Sequence, residues 1–234
     1  MLIYGSCLNK KEVHPPQHTI RSVMYLFEND ERSKTMENVW QLEEGEVRKP
    51  GIVHVVMLAL FTGIGIVVGT FGSLAIPIGF VSAFWPGQAV QSIGSIWFGW
   101  WGGIAAGLFP LISNSLSGSA PLPVSIAYLP ANILQGMVAG WAFRRFKSNP
   151  SLPTGKDWWV FILWGALVPN AIGAAWGTTM LVAFGLITQA AQFVSFLGWF
   201  IGNTIPTIVL GGLVLKYVSP LVVRSKAFCK EYWA

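Results

Sequence analysis

Two stretches of this chain carry no charged side chain. Gly51 to Phe143 runs 93 residues without Asp, Glu, Lys or Arg, and Trp158 to Leu215 runs another 58. A charge at the bilayer centre costs at least ~2.5 kcal/mol on insertion scales, whereas a helix of a soluble domain needs polar residues on its solvent face. Apolar stretches this long predict an all-α, multi-pass bundle in the cell membrane. Composition agrees: 53% of residues are hydrophobic and 11% charged, against about 25% charged in soluble domains. The 26 Gly and 12 Trp suit membrane helices, which tolerate Gly and use Trp at the lipid interface.

Breaks and turns divide the two stretches into six expected spans: residues 52–70, 83–99, 103–116, 124–143, 158–180 and 193–215. Between the first two, Gly72, Pro77 and Gly79 interrupt a helix while the chain stays apolar, so a re-entrant or surface loop is expected there. All fifteen Lys and Arg fall in three segments: the N-terminal region, residues 144–156, and the tail after Leu215. The excess of basic residues on cytoplasmic loops places all three inside the cell. An even number of spans must then separate them, which fits four and two. The net charge of +5 belongs to these segments, and implies anionic lipid rather than nucleic acid as its partner.

The domain plan is a polar cytoplasmic segment at 1–50, a membrane domain at 51–216 and a cytoplasmic tail at 217–234. The first residues lack a signal peptide's apolar region, and Met24 or Met36 is an alternative start. Cys7 and Cys229 lie in the polar segments and read as unpaired thiols.

Two motifs stand out. Gly99, Gly103 and Gly107 recur every four residues, as do Gly136 and Gly140, and Ala59 with Gly63. In apolar helices this spacing makes flat ridges for helix packing or partner docking. Amides are the second: Gln88, Gln91, Asn114, Asn132, Gln135, Asn170 and Asn203 spread over five spans. Each needs hydrogen-bond partners in hydrocarbon. A proline frees a backbone carbonyl that a nearby amide can satisfy, and Asn132, Asn170 and Asn203 sit near Pro130, Pro169 and Pro206. Taken together, the amides also predict a shared polar cavity, in which Trp97, Tyr128 and Trp176 could stack on a flat, uncharged ligand.

Catalysis is not expected. The charge-free stretches hold one histidine, His54, and acid–base chemistry needs a titratable pair within reach of substrate. Ser117 and His54 fall at opposite membrane faces in the expected topology. His14, His18 and His54 form no ligand-like metal cluster. No phosphate-binding loop is present, and no cofactor is implied.

The stretch from Ser92 to Phe146, with its short second span, glycine-rich third span and Pro130-Ala131-Asn132 leading to basic residues, resembles the substrate-binding S components of energy-coupling factor transporters. The resemblance covers about residues 50–216. It implies a vitamin-like small-molecule binder docked on a transmembrane coupling subunit driven by paired ATPases. Ala59 and Gly63 would match a docking pair that is Ala and Ala in the family, so the second position departs. By this resemblance Gln88, Gln91, Asn114, Asn132 and Asn170 would hold the ligand near the outer face. The N-terminal histidine of the metal-transporting members is missing. A second resemblance is to the membrane-associated sensor domains that precede histidine kinases and diguanylate cyclases, carried by Trp85-Pro86 and by Gly198-Trp199-Phe200-Ile201-Gly202-Asn203. Such domains feed a C-terminal signalling domain, for which the sequence after the sixth span leaves no room. A non-catalytic structural role is the third alternative.

Overall fold

The computed structural model describes residues 39–75, 77, 78 and 81–234. Met24, Met36, Cys7, His14 and His18, and most of the expected N-terminal segment, lie outside the described residues.

Helix α1, Ile52–Ala75, runs out from the end that holds the basic segments and is longer than expected. Its outer face is apolar and exposed, with Val56, Leu60, Ile64, Val67 and Phe71. The other face packs: Gly65 receives the ring of Phe109, Gly69 meets Ser113, and Gly72 meets Pro86. A two-residue hairpin follows, Pro77–Ile78 (β1) paired antiparallel with Val81–Ser82 (β2). Helix α2, Gly87–Phe98, then returns through the centre of the bundle, with eleven of its residues buried. Gly99 turns the chain at φ +55°, and α3, Trp100–Ser117, runs out again beside α1. The short α4, Leu122–Ala127, and α5, Leu129–Arg145, bring it back.

The expected polar loop after α5 is ordered rather than solvated. Asp157 accepts hydrogen bonds from Asn149 N (2.8 Å) and Thr154 Oγ1 (2.6 Å), while Thr154 caps α6, Gly155–Val160, in a capping box. The outward run continues through a π-helical segment, Phe161–Leu167, into α7, Val168–Ala183. The last pass joins Gln189–Ala191, α8 (Gln192–Pro206), a second π segment at Thr207–Gly211, and α9 (Gly212–Val222).

Four helical stretches are long and apolar enough to cross a membrane: Ile52–Leu74, Leu122–Arg145, Gly155–Ala183 and Gln189–Val222. The second and third expected spans fall outside this set. Helix α2 is 12 residues long, about 18 Å at 1.5 Å per residue, against a hydrocarbon core of ~30 Å. It is a buried central strut that stops short of the outer face.

Three prolines inside helices explain how the other elements grip this strut. A helical proline has no N–H for the carbonyl four residues back, and its ring crowds that carbonyl. Pro110 frees Ala106, Pro169 frees Gly165, and Pro206 frees Gly202. Each of these carbonyls takes a donor from α2 or its approach: Gln91 Nε2 to Ala106 O (2.9 Å), Ser92 Oγ to Gly165 O (2.6 Å), and Trp85 N to Gly202 O (2.9 Å). The expected local pairing of Asn170 and Asn203 with the carbonyls freed by Pro169 and Pro206 is therefore corrected. The donors come from across the bundle.

Among the described residues, parts of all three basic segments meet at one end. Arg48 bonds Phe228 O, Lys230 bonds Gln41 O (2.7 Å), and Arg144 bonds Cys229 O (2.7 Å). The tail after α9 folds under the bundle: Cys229 N donates to Trp97 O (2.9 Å) and Trp100 N to Tyr232 O (2.8 Å).

Candidate functional site

Because α2 starts deep, a cavity of about 210 Å³ remains at the outer end of the bundle. Trp85 reaches over it from the hairpin, its indole N–H held by Gly69 O at 3.2 Å. The end of α3 supplies Asn114, Ser117 and Ser119, the start of α5 supplies Tyr128, Asn132 and Gln135, and α8 supplies Trp199 and Asn203. Among the described residues no Asp, Glu, Lys, Arg or His lines it. Among the described residues no cluster of His, Cys, Asp and Glu could hold a metal.

The polar wall is partly committed. Asn114 Nδ2 donates to Ser125 Oγ (3.2 Å), and Asn114 Oδ1 accepts from Ser119 Oγ (3.1 Å). Asn203, with its amide oriented to its surroundings, accepts from Trp199 Nε1 at 3.0 Å. Tyr128 and Trp199 meet edge to face at 5.5 Å. Two buried wall atoms, Asn132 Nδ2 and Tyr128 Oη, have no hydrogen-bond partner among the described residues. Buried polar atoms are nearly always paired, so these two mark where an added acceptor or donor is accommodated.

Gln135 forms the floor, and its Nε2 donates to Gln88 Oε1 at 2.7 Å. Gln88 Nε2 donates to Ser92 Oγ (3.1 Å), and Ser92 passes to the freed Gly165 carbonyl. One turn on, Ser95 Oγ accepts from Gly140 N (3.1 Å) and donates to Gly136 O. A polar chain thus runs from the cavity floor down the strut.

Of the ten residues expected to hold a ligand, the structure brings five to the cavity: Asn114, Tyr128, Asn132, Gln135 and Asn203. Gln88 and Gln91 lie behind the floor. Asn170 is fully buried in α7, with neither amide atom paired. Trp97 is placed elsewhere, near the C-terminal end of α2, where its Nε1 donates to Ser219 Oγ at 2.8 Å. Trp176 is also elsewhere, half-exposed, with its Nε1 on Ala127 O at 2.8 Å. Ser117 lines the cavity, whereas His54 stacks on Trp101 at the opposite end.

The glycine ridges divide likewise. Gly103 and Gly107 take Met137 and Ile133, Gly136 faces Ala106, and Gly140 faces Ser95. Gly99 is a turn glycine beneath the Tyr232 carbonyl rather than a ridge position. Ala59 and Gly63 are both exposed, and among the described residues Gly63 has no atom within 4 Å of an added Cβ. Trp85 and Trp199 were missed as wall residues. Their signal was the Trp-Pro and Gly-Trp-Phe-Ile-Gly-Asn stretches, read as family markers rather than as a site.

No curated protein and no solved structure matches the chain. A family model, MASE1, matches residues 54–229. Of the two resemblances read from the sequence, this supports the sensor domain, and the reading as an S component of a vitamin transporter gives way to it. The matched region takes in nearly all of the bundle and the tail as far as Cys229, and the chain belongs to the MASE1 family, the membrane-associated sensor domains of bacterial signalling proteins.

Proposed function

We propose that the outer cavity is the input site of this membrane sensor, and that it takes a small, uncharged, hydrogen-bonding ligand. The observation that carries the reading is the bond between Gln135 on the cavity floor and Gln88 on the buried strut. A group that binds Gln135 or its neighbours acts directly on α2. The far end of α2 holds the cytoplasmic tail through Trp97 O and Trp100 N, the direction in which a sensor must pass its signal. A signalling partner at the cytoplasmic face is the corresponding output.

The ligand class follows from the wall. Without a charged lining residue, an ionic ligand would be left unpaired in a low-dielectric site. The volume lies below the ~300–1,000 Å³ common for drug-sized ligands, so a compact molecule is expected. Trp85, Tyr128 and Trp199 supply ring surface, while Asn132 Nδ2 and Tyr128 Oη supply unused polar atoms.

The test is mass spectrometry of small molecules retained by the detergent-purified chain. Asn132→Leu should abolish retention while the unfolding temperature stays near that of the parent. Normal retention by that variant removes the cavity from the proposal, and no retained molecule from any preparation favours a purely structural role.

A further inference from the structure

A second cavity, of about 370 Å³, lies at the cytoplasmic end on the outer side of the bundle, between α3 and α5. Its walls are Trp100, Leu134, Met137 and Val138, and its inner end is closed by Arg144 and Tyr232. Leu134 and Trp141 at its rim are 51% and 41% exposed on the apolar surface.

Arg144 is unusual in its company. Its Nε donates to Glu231 O (2.8 Å), its Nη1 to Gly140 O (2.9 Å) and Ser95 O (3.1 Å), and its Nη2 to Cys229 O (2.7 Å). The rings of Trp40 and Tyr232 lie 4.8 and 5.5 Å from the guanidinium carbon. All of these partners are neutral. The ion pairs among the described residues join Glu46 to Arg48 and Lys230, and none involves Arg144. A guanidinium has five N–H donors, so one remains on Nη2, together with a whole positive charge that has no counter-ion among the described residues. A charge withdrawn from water without such a partner is costly.

An apolar trough that opens to the bilayer and ends in an uncompensated cation fits an amphiphile with an anionic head. The cytoplasmic leaflet, where this groove lies, is where anionic lipids concentrate. We propose that this groove binds one anionic phospholipid, with its phosphate against Arg144 and an acyl chain along Leu134, Met137 and Val138. The inference is independent of the outer cavity. It implies that the tail, which the same arginine holds through Cys229 and Glu231, is sensitive to the lipid beside it.

The experiment is native mass spectrometry of the full chain in detergent, with phosphatidylglycerol or phosphatidylcholine of identical acyl chains added. One phosphatidylglycerol should be retained in preference to phosphatidylcholine by roughly tenfold, equivalent to ~1.4 kcal/mol. Val138→Trp fills the trough and should lose that adduct. Leu134→Trp, on the exposed rim, serves the same purpose should the first variant fold poorly, with both checked by thermal unfolding. Arg144→Gln should retain both lipids equally. Equal retention of the two lipids by the parent chain overturns the proposal. So does an undiminished adduct in folded groove-filling variants, or loss of the preference in millimolar inorganic phosphate, which would reassign the site to a free anion.

Discussion

Gln135 and Gln88 sit 47 positions apart in sequence and share one hydrogen bond of 2.7 Å, buried on both sides. Removing either partner leaves the other amide unsatisfied, which costs about 1–3 kcal/mol, whereas replacing both with apolar groups is far milder. Gln88→Leu and Gln135→Leu should therefore each lower stability by that amount, and the double variant by clearly less than their sum. Thermal unfolding of the four proteins in one detergent measures the coupling. Additive losses would mean the bond does not link floor to strut.

Ser92 and Pro169 make a second coupled pair, through the Gly165 carbonyl that the proline frees and the hydroxyl takes. In the parent chain, Ser92→Ala leaves the Gly165 carbonyl and Gln88 Nε2 without this partner and should cost about 1–3 kcal/mol. In a Pro169→Ala background the helix regains its own N–H for that carbonyl, so the same change should cost less. The reverse order, a larger loss without the proline, would contradict the account of how α7 grips α2.

Much of this architecture was legible in the sequence because charge in a membrane is so strongly sorted. The start of α1 at Ile52 and the end of α5 at Arg145 lie within two residues of the edges of the first uncharged stretch, whereas α9 continues to Val222, beyond the last uncharged residue, Leu215. The short α2 was less visible. Its sequence, GQAVQSIGSIWF, reads as a span until one sees that nearly every side chain is covered by protein. The spacing of Trp97 from Gln88 was a usable warning: nine residues along a helix is roughly 13 Å, too far for both to serve one small cavity. The proline-freed carbonyls could be named from sequence. Their donors could not, because Gln91, Ser92 and Trp85 reach them only once the bundle has packed.

Gly102 and Gly63 should respond oppositely to a single methyl group. An added Cβ at Gly102 would run into the Gly94 backbone, where α3 crosses α2, while one at Gly63 meets nothing. Overpacking costs typically 1–3 kcal/mol, and about the top of that range is expected where backbone must move. Gly102→Ala should sharply reduce the yield of monodisperse protein, and Gly63→Ala should stay within about 0.5 kcal/mol of the parent. If Gly63→Ala instead destroys signalling without unfolding, the exposed face of α1 is a partner contact.

Glu46 joins the N-terminal segment to the tail and gives it a pH dependence. Lys230 Nζ lies 2.7 Å from Glu46 Oε2, the Glu43 N–H adds a bond at 3.0 Å, and Arg48 Nε lies 2.6 Å from Oε1. These contacts, Lys230 foremost, hold the Glu46 carboxyl down at about 2 against an ordinary 4.5. A depressed acid stabilises the folded form above its unfolded value and loses that contribution as pH falls. The tail should therefore loosen between about pH 4.5 and 2. Cys229 reports the change, since its thiol is buried and burial pushes its pKa up to about 11, leaving it slow to react at neutral pH. In a Cys7→Ser background, a pyridyl disulfide reagent that works in acid should label Cys229 faster as pH falls through that window. Glu46→Gln should show raised labelling already at neutral pH and little further acid dependence. Labelling that ignores both acid and Glu46→Gln would show that the tail is held without the Glu46 ion pairs, by its carbonyl contacts with Arg144, Arg48 and the bundle.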